Sequence, residues 1–303
     1  HVIPQSLFVD GSLELLEREQ LAEGFTLKGK PYDIDFAAAD DEIAKVDVRQ
    51  SEGGLPKVFK MSSADQRYFK EYFNNLPPES RVRQCKEIMF KQLNKLNMVD
   101  AAELQTYIDR IVGDMDKAQL AAMEKAPLGY AAKIRAKIEN LLTQHYKETF
   151  TKWLETEKIV CKPFFRLPMA IHPMESTDMF GSSLYQAEED MNGLEQDLVM
   201  ELTALPNVRW WHRNIARHGF SVNGYIKHYP DIMVMTQSGK IIFAETKGEH
   251  LKNDDSRDKI ALGQAWRNAA GNQYRYYMVF RDGDNLLPGA VSLSQFIETV
   301  KAL

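Results

Sequence analysis

The sequence predicts an α+β amino-terminal part, made of a small antiparallel sheet and a helical segment, followed by an α/β domain. Three observations predict it. Apolar and polar residues alternate over much of positions 1–62, and the period lengthens to 3.6 from 63 to about 160. Beyond 183, short apolar runs bounded by turn residues alternate with helix-length amphipathic stretches. The chain of 303 residues is long enough for several domains. We divide it into a β-rich segment (1–62), a helical spacer or bundle (63–160) and the α/β domain (161–303).

In order, 13–22 has helical spacing, while 32–36, 42–48 and 57–61 alternate as strands do, separated by turn signals at Asp40-Asp41 and Gly53-Gly54. Ser63 is a plausible cap for the first helix, which Pro77-Pro78 breaks. The stretch 128–159 predicts one long helix with Ile134, Ile138, Leu141, Leu142 and Tyr146 on one stripe. An extended run at 162–170 leads into a Pro-rich loop. A helix at 184–205 comes next, then strands at 208–214, 229–236 and 240–246, a helix at 255–270, a strand at 274–280 and a helix at 293–301.

Composition bounds the function. The formal net charge is −5, which as an average argues against a general nucleic-acid or membrane binder. No apolar window is long enough to span a bilayer, and two cysteines, Cys85 and Cys161, form no disulfide framework, so a cytoplasmic setting is expected. Because the chain begins at His1, it is also expected to be a processed product or a piece of something longer.

One region is chemically pointed. Tyr229-Pro230-Asp231 opens a strand, Gln237-Ser238-Gly239 turns it, and the return strand ends in Glu245-Thr246-Lys247-Gly248. Side chains alternate along a strand, so Glu245 and Lys247 share a face, and folding back at 237–239 brings Asp231 beside Glu245. Paired carboxylates suit a hard ion such as Mg²⁺, and a neighbouring lysine offsets developing phosphate charge or orients water. A Glu-x-Lys triplet alone is expected about once by chance in such a chain. The specificity comes from its context, at the end of an apolar strand whose hairpin partner opens with Pro-Asp; the alternative is a surface hairpin with a solvated salt bridge between Glu245 and Lys247.

Residues 184–280 resemble the PD-(D/E)XK nuclease superfamily, whose core is a helix, a three-stranded meander, a helix and a strand. More narrowly, Met191-Asn192 with Glu195, the run from Val208 through Trp210-Trp211-His212-Arg213-Asn214, Tyr229-Pro230-Asp231 and Glu245-Thr246-Lys247-Gly248 are similar to the carboxy-terminal endonuclease of type III restriction subunits and related DEAD/DEAH-type helicase-nucleases. The region from Gly24-Phe25 onward resembles the segment that lies after the motor in those proteins. The resemblance implies Asp231 and Glu245 as metal-binding carboxylates, with the Thr246 carbonyl, and Lys247 as the catalytic lysine. The third acidic residue falls on the preceding helix, at Glu195 or, in reserve, Glu201; six residues apart, these point to different faces, so one alone can serve. Mg²⁺ is the implied cofactor, with Mn²⁺ able to substitute. Arg213, Asn214, Lys259 and Gln264 are candidate DNA contacts, although an aromatic at Trp266 stands where many relatives carry a tyrosine near the glutamine. Double-stranded DNA, an amino-terminal helicase motor and a modification (methyltransferase) subunit are the implied partners, in a prokaryotic cytoplasm.

Split at the motif, the charge average dissolves. Residues 207–283 hold 12 basic and seven acidic side chains, a net +5, leaving −10 for the remainder. A basic module on an acidic arm is what phosphate neutralisation asks of a nuclease domain. The chain has no Walker-type phosphate loop, so ATP would enter only through a motor outside it. His212, His218, His228 and His250 fit no zinc spacing. Of Trp210 and Trp211, which face opposite ways on a strand, one is expected in the core and the other against a helix. The alternative to an endonuclease is a nuclease-like module kept for DNA binding or subunit coupling without catalysis.

Overall fold

In the computed structural model the described residues are 1–9, 11–37, 39, 71, 73–176, 180–248, 251, 253–283 and 285–303. The fold is mixed α+β. In chain order its elements are β1 (Val2–Phe8), a 3₁₀ turn (Arg18–Ala22), α1 (Pro78–Leu93), α2 (Ala101–Gly113), α3 (Lys117–Lys125), α4 (Pro127–Glu155) and β2 (Ile159–Arg166). Then come α5 (Gly193–Thr203), β3 (Val208–Arg213), β4 (Val222–Asn223), β5 (Lys227–His228), β6 (Ile232–Thr236), β7 (Ile241–Thr246), α6 (Asp254–Ala270), β8 (Tyr274–Phe280), β9 (Val291–Ser292) and α7 (Leu293–Lys301). Among the described residues no helix is long and apolar enough to cross a membrane.

The chain divides into two compact units, one of residues His1–Leu21 with Lys147–Leu303, the other of Ala22–Tyr146. The grouping is not sequential, because β1 pairs antiparallel with β2, placing Ser6 opposite Cys161 and Phe8 opposite Ile159. This long-range pair is not the small sheet expected from strands at 32–36, 42–48 and 57–61. The helical spacing of 13–22 gives only the 3₁₀ turn. Leu16 N–H donates to the Ser6 carbonyl at 3.2 Å and its own carbonyl accepts from Asn223 Nδ2 at 3.2 Å, so lateral bonds replace helical ones. The strands expected at 42–48 and 57–61, the turn at Gly53-Gly54, Asp40-Asp41 and the Ser63 cap lie outside the described residues.

The segment 32–36 is no strand. Its alternation is real, but Tyr32 donates to Asp114 Oδ2 at 2.6 Å, Lys137 meets Asp33 at 3.1 Å and Phe36 stacks on Tyr130 at 4.3 Å, so helices rather than a neighbouring strand take up its side chains. In the same unit, α2 starts where the Asp100 side chain accepts from the main-chain N–H of Ala102 and Glu103. The predicted long helix is present as α4, and it ends just before Glu157, which adopts a left-handed φ of 56°.

The other unit is built on a five-stranded sheet in the order β3-β6-β7-β8-β9, antiparallel through β7 and parallel beyond it. Alternation assigns its two faces. Trp211, Ile232, Val234, Ile242 and Ala244 pack with Leu198 and Val199 of α5 and Phe296 and Val300 of α7. Phe243, on the opposite face, stacks on Phe220 at 4.4 Å and meets Trp266 of α6 edge-on at 5.3 Å. Both tryptophans of β3 are buried; Trp210 lies with its ring 5.6 Å from His1, and Trp211 donates Nε1–H to the Gly181 carbonyl. Gly263 is needed where α6 crosses β8, since a Cβ there would overlap the Tyr276 ring.

The helix expected at 184–205 begins only at Gly193. Asn192 accepts from the N–H of Leu194 and Glu195, and the Glu195 side chain accepts in return from Asn192 N–H, a reciprocal cap that fixes the start. Residues 184–192 are instead irregular, and Glu188 within them binds β3.

Candidate functional site

The site forms where β3, β6 and β7 end beside the first turn of α5. Ile232 pairs with Ala244 across the β6–β7 ladder, so one further step sets Asp231 opposite Glu245, both on the face that carries Phe243. Arg213 shares the face of Trp211 and so meets α5, reaching Asp231 around the strand end. Its Nη2 lies 2.9 Å from Glu195 Oε1 and 3.6 Å from Asp231 Oδ1, and its Nη1 donates to the carbonyls of Asn214 (2.9 Å) and Asp231 (3.1 Å). The other carboxylate oxygen of Asp231 accepts from Thr246 N–H at 2.8 Å and Thr246 Oγ1 at 3.0 Å.

Glu245 has a different set of neighbours. Lys247 Nζ lies 2.7 Å from its Oε1 and Lys259 Nζ, from α6, 3.7 Å from the same oxygen; Lys259 is also 3.1 Å from Asp255. Its Oε2 is buried and, among the described residues, has no hydrogen-bond partner. Behind it His228 Nε2 stands 3.8 Å away, too far to bond, and is engaged instead with the Tyr276 hydroxyl at 2.9 Å.

Burial sets the electrostatics. It pushes the Asp231 carboxyl up to about 7, helped by the charge of Glu245 and opposed by Arg213. Glu195 is raised by burial and then by Asp231, against the pull of Arg213. Burial works against the charge of Lys247, but Glu245 and Asp231 together outweigh it and hold its pKa above the ordinary value. His228 is driven well below its ordinary value by burial and then by Lys259 and Lys247, so it is neutral.

The structure thus brings together Asp231, Glu245, Lys247, Glu195, Thr246, Arg213 and Lys259. Glu195 is 2% exposed and faces the cluster, whereas Glu201 is on the exposed side of α5. Two expected DNA contacts are placed otherwise. Asn214 is buried, its amide donating to the carbonyls of Phe220 and Pro230 and accepting from Phe220 N–H; both amide hydrogens are engaged in bracing the 215–220 loop. Gln264 is half-buried and its Oε1 accepts from Arg267 at 3.4 Å, and five residues along α6 from Lys259 it lies on another side of the helix.

Sequence reasoning missed three supporting residues. His228 and Tyr276 form the wall behind Glu245, and buried Glu188 accepts from His212 Nδ1 at 2.7 Å and from Arg213 N–H at 3.0 Å, fixing the end of β3. His228 carried a signal, standing three residues before Asp231. Of the histidines weighed for zinc, His212 and His228 thus have other partners, His218 is exposed and His250 lies outside the described residues.

Among the described residues no three His, Cys, Asp or Glu side chains converge on a single point. The Arg213 guanidinium bridges Glu195 and Asp231. The donor set nonetheless suits a hard cation: two facing carboxylates, one with an oxygen that has no hydrogen-bond partner among the described residues and the other with its proton affinity raised by desolvation. No family model matches the chain, nor does any curated protein or solved structure.

Proposed function

We propose that the chain carries a Mg²⁺-dependent DNA endonuclease of the PD-(D/E)XK kind, the carboxy-terminal part of a restriction or defence helicase-nuclease. The observation that carries this reading is the meeting of Asp231, Glu245 and Lys247 at one strand end, with Glu195 entering from the helix before the sheet. Order of elements supports it too, since a helix, a meander, a helix and a parallel strand succeed one another from α5 to β8.

Asp231, Glu245 and the Thr246 carbonyl would hold the ion. Bound Mg²⁺ would lower the pKa of a coordinated water and polarise a phosphoryl oxygen. Thr246 clamps one Asp231 oxygen with two donors, leaving Oδ1 for the ion. Lys247 stays protonated at neutral pH, so it orients the attacking water and offsets phosphate charge as a cation, without serving as a base. Lys259 supplies a second positive charge on the same oxygen of Glu245. Double-stranded DNA is the substrate, the motor and a modification subunit are the partners, and the cytoplasm of a prokaryotic cell is the setting.

Supercoiled plasmid incubated with Mg²⁺ tests this. The full chain should nick or linearise it, and D231A or K247A should not while keeping the wild-type circular dichroism spectrum. Cleavage by either variant sinks the assignment. The second reading, a non-catalytic DNA-binding or coupling module, is favoured by Arg213 bridging two of the three carboxylates, a site already neutralised by the protein. Mn²⁺ titration followed by electron paramagnetic resonance separates them, because such a module would bind no ion at Asp231 and Glu245.

A further inference from the structure

Three carboxylates, Glu195, Asp231 and Glu245, meet three cations, Arg213, Lys247 and Lys259. A divalent ion arriving there adds two positive charges where the dielectric is low, which favours the departure of a resident cation. The lysines sit on Glu245, whereas Arg213 sits on Asp231 Oδ1, the one oxygen of that residue not already held by Thr246.

Resting on the metal-dependent reading above, we propose that Arg213 is an exchangeable counter-ion: it neutralises Glu195 and Asp231 in the metal-free protein, and is displaced by the divalent cation onto a phosphate of the bound nucleic acid. Arg213 is built for such an exchange. Its main-chain N–H is fixed by Glu188, which is itself held by His212, so the backbone is a stationary pivot. Its guanidinium is partly exposed and its Nε is buried without a partner among the described residues, so departure gives up only the Nη contacts to Glu195, Asp231 and the Asn214 and Asp231 carbonyls, which phosphate oxygens can replace. Once released, the planar fork matches two phosphate oxygens. The device would keep buried carboxylates paired in the absence of metal and would deliver a substrate contact only when metal is present.

Mn²⁺ binding to the full chain, read by electron paramagnetic resonance, and DNA binding in Ca²⁺, read by fluorescence anisotropy, test the exchange in wild type and R213Q. Removing the competitor should tighten Mn²⁺ about tenfold, equivalent to about 1.4 kcal/mol, while weakening DNA by a similar factor. Mn²⁺ affinity that is unchanged or lower in R213Q overturns the proposal, although the metal-dependent reading survives; wild-type protein that binds no Mn²⁺ overturns both. Should R213Q fail to fold, wild-type crystals soaked in Mn²⁺ decide. Arg213 still bridging Glu195 and Asp231 beside a bound ion refutes the exchange, and a guanidinium turned away from Asp231 supports it.

Discussion

The two compact units differ in how deeply they bury charge. Among the described residues the ion pairs of the helical unit are at least partly exposed, as where Lys86 meets Asp109 at 2.8 Å with that aspartate about half exposed. In the sheet unit, Arg213–Glu195 at 2.9 Å and Lys247–Glu245 at 2.7 Å bury their carboxylates almost completely. An exposed pair contributes little either way, but a buried one carries a desolvation cost of several kcal/mol that its partner only partly returns. Clustering such pairs at the end of one sheet is a poor way to stabilise a fold. The contrast marks that strand end as the place where the fold carries costly buried charge, which the proposed function would use.

The largest effect expected from breaking this contrast is on cleavage. D231A and K247A should each lower the plasmid-cleavage rate by at least about a hundredfold, as loss of a charge aimed at the reacting group does. Next, Gly263→Ala pushes a methyl group into the Tyr276 ring, so it should destabilise the protein by about 1–3 kcal/mol in urea melts. Mn²⁺ binding should weaken as well, because Tyr276 supports His228 behind Glu245. Unchanged stability would mean that α6 shifts freely over β8.

A smaller effect concerns pH. Asp231 has an ordinary value of 3.8 and is pushed up to about 7 in the fold, so its contribution to metal-free stability is full below about pH 4 and is lost as pH rises through 7. In EDTA, wild type should lose melting temperature between about pH 4 and about pH 7 relative to D231N, which lacks the titrating group. Equal slopes would contradict the burial argument. The smallest effect belongs to the helical unit: Lys86→Ala should cost no more than about 1 kcal/mol and leave cleavage untouched.

Sequence made the β6–β7 hairpin, α6, β8 and α7 legible because each is an apolar or amphipathic run bounded by its own turn or capping residues, such as Asn253 before α6 and Ser292 before α7. Local pattern also carried Asp231, Glu245 and Lys247. What it could not carry depends on distant partners. β1 is a strand because β2 lies beside it, and segment 32–36 fails to be one because helices do. Asn214 looked like a strand-end polar group until the loop folded over it, and Arg213 became a bridge only when α5 and β6 converged. Tyr276 lies 48 residues from His228, a pairing that no spacing rule announces.

The clasp between β1 and β2 has a bearing on how the chain is made. Val2 pairs with Arg166, and the Pro4 carbonyl accepts from Trp266 on α6, the helix that also carries Lys259. On a ribosome the first strand emerges before either partner exists, while every residue of the helical unit, 22–146, is synthesised before Ile159. Synthesis therefore allows the helical unit to fold first, with the opening strand unpaired until β2 is made.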